Sequence, residues 1–207
     1  MLAISRKSGQ SERVKIGVVL WDFGGTLVDE RWMLQPPSDF TEWPKVWAEV
    51  VTGRAHDWNI GRISERDIFS ELAARTGMAL PAIEVHTAAC CRSIRFHTAA
   101  WRAATERRLP QALVTVNPDL FVERVAKPYC LEAHFDTVVV SCIESTDDKN
   151  ELCEIALDRL RFTGPRSEAL LIDNRCDLTE AWAREGGAGY QFRGDDQFSI
   201  DWPGILG

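Results

Sequence analysis

Hydrophobic positions along the chain follow two patterns. Up to about residue 29 and beyond 108 they gather into short continuous runs, whereas between them they recur at three- and four-residue spacing. The first run, Val14-Lys15-Ile16-Gly17-Val18-Val19-Leu20-Trp21, ends at Asp22. Runs at 112–114, 137–140 and 169–172 have the same character and lead to Thr115, Ser141 and Asp173. Continuous rather than alternating apolar character predicts strands buried on both faces, as in a parallel sheet.

Helical periodicity separates these runs, at 119–127, 149–161 and 178–185, the last stopped by Gly186-Gly187. Strand alternating with helix predicts an α/β fold: a Rossmann-like parallel sheet with helices on both faces. Ligands in such sheets bind beyond the carboxyl ends of the strands, where Asp22, Thr115 and Asp173 all stand. The segment 30–108 holds no convincing strand and four helical stretches, at 41–53, 64–76, 81–94 and 97–108. The expected organisation is therefore a polar leader at 1–13, a core domain from 14–29 and 109–207, and an inserted all-helical cap at 30–108. Five of the eight tryptophans fall in that insert (Trp32, Trp43, Trp47, Trp58 and Trp101), and most are expected to form its core.

Composition narrows the partners. With 45% hydrophobic and 27% charged residues the 207-residue chain is of ordinary globular type, and a net charge of −7 argues against nucleic acid or an anionic membrane as main partner. No apolar run is long enough to span a bilayer, and the first fifteen residues lack the apolar stretch of a signal peptide. The six cysteines form no C-x-x-C, and Cys142 and Cys153 fall in apolar patterns that suit buried free thiols. A cytoplasmic location is the expectation.

The chemistry begins at WDFGGTLVDE, residues 21–30. The series Asp22-Phe23-Gly24-Gly25-Thr26-Leu27, Thr115, Lys149 and Asp173-Asn174 resembles, in order and spacing, the four motifs of the haloacid dehalogenase-like (HAD) hydrolases. A helical insert between the first two motifs is similar to a type 1 cap. The stretch from Gly61 to Phe69 resembles a cap-helix opening of the branch near the epoxide-hydrolase N-terminal phosphatases.

The resemblance implies a Mg²⁺-dependent phosphatase of a small phosphorylated metabolite, working as monomer or homodimer. Asp22 would attack phosphorus to form an aspartyl-phosphate, and Lys149 would neutralise the charge that develops. Thr115, with Phe23, Gly24, Val116 and Asn117 around it, would hold the phosphoryl group. Asp22, Asp173 and the carbonyl of Gly24 would hold Mg²⁺, an ion content with one or two carboxylates and several waters. Asn174 stands where the family often has a second aspartate, and Asp177 is the alternative ligand.

One departure matters most. Where the family's phosphatases carry a second aspartate that moves protons, this chain has Gly24. Such acid–base assistance is worth about 10²–10⁴-fold. Asp29, Glu30 and His56 are possible stand-ins that the sequence does not place. Two other readings follow: a degenerate HAD-like protein that binds without turnover, and, ranked last, a 2-haloacid dehalogenase, which also uses an aspartate nucleophile but needs no metal.

Overall fold

All four expected strands form, and a fifth joins them. The computed structural model describes residues 15–37, 40–106 and 108–205, so the expected leader at 1–13 lies outside the described residues, as does the side chain of Trp32. The strands are β1 (Val18–Trp21), β2 (Gln111–Thr115), β3 (Thr137–Val140), β4 (Ala169–Asp173) and β5 (Ala188–Gln191). They pair in parallel in the order β3-β2-β1-β4-β5, with Leu20 opposite both Ala112 and Leu171. The chain thus leaves the central β1 towards one edge and later returns to build the other. That reversal opens a crevice at the carboxyl ends of β1, β2 and β4.

Burial on both faces explains why the strands are continuously apolar. Val18 and Leu20 of β1 pack with Ala112, Val114 and Leu171 on one face, and Val19 and Trp21 with Leu113, Leu170 and Ile172 on the other. The first face is covered by α8 (Lys149–Arg159), through Leu152, Cys153 and Ala156, and by α9 (Cys176–Arg184), through Trp182. On the second face α10 (Asp195–Ile205) brings Phe198 and Trp202 against Trp21, at ring-centroid distances of 6.0 and 5.5 Å. The Trp21 indole also donates to buried Gln111 Oε1 at 3.1 Å, so its one polar atom has a partner inside the core.

Among the described residues a 3₁₀ turn (Glu30–Leu34) and five α-helices lie between β1 and β2: α1 (Trp43–Thr52), α2 (Ala55–Asn59), α3 (Glu65–Thr76), α4 (Leu80–Arg92) and α5 (Thr98–Thr105). Ser64 starts α3 with a reciprocal capping box to Asp67, and Gly77 ends it in the left-handed conformation at φ 71°. The expected aromatic core is present. Trp43, Trp47 and Trp58 are buried and in edge or tilted contact, with centroids 5.7 and 6.2 Å apart.

Specific bonds tie this helical insert to the sheet. Asp119, at the start of α6 (Asp119–Phe121, continued by one π turn), accepts from Trp58 Nε1 at 2.8 Å and from the Glu65 amide at 2.9 Å. Arg124 grips Glu65 through two hydrogen bonds of 2.7 and 2.8 Å. Ser141, the first residue of α7 (Ser141–Glu144), donates to the carbonyl of Asn59 at 2.7 Å and accepts from the Asn117 amide. Among the described residues no helix is long and apolar enough to cross a membrane.

Candidate active site

The ends of β1 and β4 and the start of α8 bring the charged residues together. Asp22 follows β1, Asp173 closes β4, and Lys149 enters from α8; all three are buried, with relative exposures of 8, 1 and 3%. Lys149 Nζ lies 2.6 Å from Asp22 Oδ1 and 3.0 Å from Asp173 Oδ2, and donates to the carbonyl of Val114 at 2.7 Å. Its backbone is held at the helix start by Asp148, whose carboxylate caps α8 through the amides of Asn150 and Glu151.

The charges shape one another. Burial pushes the Asp22 carboxyl up; Lys149 pulls it down, Asp173 pushes it up again, and the balance is about 6. Asp22 is therefore mainly a carboxylate at neutral pH, and a carboxylate is what nucleophilic attack requires. Burial opposes the Lys149 ammonium, but the two carboxylates outweigh it and hold its pKa above the usual lysine range. Lys149 remains a fixed positive charge.

The loop after β1 is folded tightly around Phe23, whose carbonyl accepts from the amides of Thr26, Leu27 and Val28. Thr26 Oγ1 lies 3.4 Å from Asp22 Oδ2 and accepts from the Asn174 amide at 2.9 Å, joining the first and last motifs. Gly25 has to be glycine: its φ is 70°, and a β-carbon there would stand 2.7 Å from Asn174 Cγ. Gly24 is under no such constraint. It is outside the left-handed region, and a β-carbon there would meet nothing nearer than Glu30, at 3.4 Å.

A crevice of about 390 Å³ opens above these groups. It is lined by the expected residues Asp22, Phe23, Gly24, Thr115, Val116 and Asn117, and by Lys149, Asp173 and Asn174. Thr115 Oγ1 accepts from Asn117 Nδ2 at 2.6 Å, so the residue two places on orients the hydroxyl from above. Asp177 stands apart. It is the second residue of α9, its side chain is 65% exposed, and Arg175 holds it from two sides at 2.6 and 3.2 Å. His56 is likewise outside the crevice, paired with Asp147 at 2.7 Å, and Asp29 does not line it.

Of the three possible stand-ins only Glu30 lines the crevice, and four further lining residues carry no sequence signal of their own: Met33, Asn59, Arg175 and Leu178. Ser141 was legible only as a polar residue ending an apolar run, yet it braces Asn117 against Asn59. None of the tryptophans with described side chains lines the crevice.

The donor set suits a hard divalent cation. Asp173 Oδ2 is buried and, although Lys149 is close enough for an ion pair, the approach is out of line and the oxygen accepts no hydrogen bond. Among the described residues no three acidic, histidine or cysteine side chains converge, so no all-protein cage is present. Two carboxylates with room for water are what Mg²⁺ accepts.

The fold has solved counterparts. A HAD-family enzyme from Bacteroides thetaiotaomicron, in complex with magnesium and inorganic phosphate, superposes with a TM-score of 0.64 over 86% of this chain and 95% of its own, at 16% identity. The fold is that of the HAD-family hydrolases. A HAD phosphatase from Thermococcus onnurineus matches with a TM-score of 0.62 at 13% identity, over 93% of this chain and 98% of its own. An L-2-haloacid dehalogenase from Xanthobacter autotrophicus, with chloropropionic acid covalently bound, matches with 0.61 at 13% identity, over 93% and 84%. No protein-family model and no curated protein matches the sequence. The HAD fold expected from the four motifs is therefore present, and with it the parallel α/β sheet.

Proposed function

We propose that this chain is a Mg²⁺-dependent phosphoric monoester hydrolase that acts on a small phosphorylated metabolite. The observation that carries the reading is the buried Asp22–Lys149–Asp173 cluster under a crevice that also presents Thr115 and Asn117. A phosphate-bound neighbour of the same fold supports it.

On this reading Asp22 is the nucleophile. Its Oδ attacks phosphorus, the bond to the leaving oxygen breaks, and an aspartyl-phosphate forms that water later hydrolyses. Lys149 holds the carboxylate in position and offsets charge on the phosphoryl oxygens. Thr115 and the Val116 amide bind those oxygens. Asp22, Asp173, the carbonyl of Gly24 and the side chain of Asn174 would hold Mg²⁺; Asp177, turned to solvent, is left out. The metal supplies the positive charge that lets an anionic nucleophile meet an anionic ester. The helical insert serves as a cap that chooses the substrate, and its Met33 and Asn59 line the crevice.

Gly24 favours a second reading, in which the crevice binds a phosphorylated ligand without turning it over. Both are tested by phosphate release from 4-nitrophenyl phosphate with and without Mg²⁺. The hydrolase reading expects metal-dependent release that Asp22→Asn abolishes. Ligand binding with no release from the wild type would leave only the second. Metal-independent halide release from a 2-haloacid would revive the dehalogenase reading.

A further inference from the structure

Five lining residues of the crevice carry charge: Asp22, Glu30, Lys149, Asp173 and Arg175. Asp22 and Asp173 are both engaged by Lys149, and Arg175 is engaged by Asp177. Glu30 makes no hydrogen bond or ion pair among the described residues, and it is the one lining carboxylate left over. It is the first residue of a short 3₁₀ turn (Glu30–Leu34), and its side chain folds back over the loop after β1.

Its position is specific. A β-carbon at Gly24 would lie 3.4 Å from Glu30 Oε1 and Cγ and 3.9 Å from its carboxyl carbon. A β-carbon at Gly25 would lie 3.1 Å from that same carbon. The Glu30 carboxyl therefore hangs over both glycines, within van der Waals contact of where a side chain at position 24 would begin. The absence of a side chain at Gly24, which no backbone strain demands, leaves room for a carboxylate that arrives from six residues further along.

We propose that Glu30 is the proton-transfer residue of the hydrolase, an assignment that rests on the phosphatase reading above. In the second half-reaction a water oxygen attacks the phosphorus of the aspartyl-phosphate. The P–O bond to Asp22 breaks, its electron pair returns to the Asp22 carboxylate, and the water's proton passes to Glu30. In the first half-reaction of the next turnover Asp22 displaces the leaving oxygen, which takes the P–O electron pair and the proton held on Glu30. The sum is ester plus water to alcohol plus phosphate, with Glu30 regenerated. Asp29 and His56, the other stand-ins, do not line the crevice.

The test compares wild type, Glu30→Gln, and Glu30→Gln combined with Gly24→Asp, each with Mg²⁺, on 4-nitrophenyl phosphate and on a simple alkyl phosphate. Glu30→Gln should lower kcat by about 10²–10⁴-fold on the alkyl ester, which needs a proton on its leaving oxygen. On the nitrophenyl ester, whose leaving group needs none, the same variant should release a stoichiometric burst of nitrophenolate and then stall as aspartyl-phosphate accumulates. Adding Gly24→Asp should restore turnover at least tenfold, because the carboxylate returns to the same space from a neighbouring position. An active wild type with Glu30→Gln within twofold of it on both esters overturns the assignment and leaves the phosphatase reading standing. So does a Glu30→Gln defect that saturating Mg²⁺ fully repairs, since Glu30 would then be serving the metal. A wild type that releases no phosphate from either ester overturns the phosphatase reading and this assignment with it.

Discussion

Replacing Lys149 by Met tests whether the buried cluster is held by charge. Methionine fills most of the space of the lysine stem, so the change removes an ammonium without opening a large cavity. It leaves Asp22 and Asp173, 8 and 1% exposed, facing each other without the cation that lies 2.6 and 3.0 Å from them. Removing one partner of a buried ion pair typically costs about 3–5 kcal/mol, and that range is expected in urea denaturation at pH 7.5 without metal. The loss should shrink in acid. Asp22 has a folded pKa raised to about 6, so the folded state binds its proton more tightly than the unfolded chain does. A group of that sign lowers stability as pH rises from its unfolded value to its folded one, and is neutral above. In the wild type this loss ends near pH 6. Without Lys149 the folded value moves higher still, and the variant goes on losing stability up to pH 7.5. At about 1.4 kcal/mol per pH unit, the gap between variant and wild type should be about 2 kcal/mol smaller at pH 5 than at pH 7.5. Lys149 is protonated in both states across this range and adds no slope of its own. A penalty below about 1 kcal/mol at pH 7.5, or one equal at the two pH values, would refute the electrostatic account.

Two further substitutions probe the loop and the insert. Gly25→Ala places a β-carbon at φ 70° and against the Asn174 amide. The backbone part alone costs about 1–2 kcal/mol, and displacing Asn174 should bring the total loss, read by urea denaturation, to about 2–4 kcal/mol; a loss under about 1 would mean the loop relaxes freely. Arg124→Ala breaks the two-bond grip on Glu65 and the contact of the guanidinium with Phe69, 5.5 Å from the ring centroid. As both partners are about a quarter exposed, a loss of about 1–2 kcal/mol is expected, together with faster proteolytic cleavage within 43–105; unchanged cleavage would show that the insert is held without the Arg124–Glu65 pair.

The sheet was legible where burial is two-sided. β1, β2 and β4 are buried throughout and β3 over its second half, so each contains a continuous apolar run that could be read directly. β5 escaped because only Tyr190 of its four residues, Ala188-Gly189-Tyr190-Gln191, is buried, and no continuous apolar run marks it. The helix at 119–127 is recovered as α6 and its π turn, and α10 was missed because its acidic start and internal Pro203 hide the packing of Phe198. In the site, residues at strand ends were legible because a strand end fixes a side chain's position. Asn59 was not, and Glu30 could be named but not placed, because each reaches the crevice only through the path of a loop or short helix.

The same distinction separates the two glycines of WDFGGTLVDE. In sequence nothing shows which of them the backbone requires. In space Gly25 is demanded by backbone conformation and by the Asn174 side chain, whereas Gly24 is demanded by neither. A glycine without a conformational reason is informative in proportion to what fills the space beside it, and here that is a carboxylate. The charge balance of the crevice points the same way. Lys149 offsets one of the two buried carboxylates, and Arg175 is already matched by Asp177, so Asp22 and Asp173 leave an excess of negative charge. A phosphate ester entering such a crevice would be repelled by like charge at close range. On the proposed reading, therefore, the divalent ion is needed for the substrate to enter at all as well as for its reaction, and binding of inorganic phosphate by the wild type must depend on Mg²⁺.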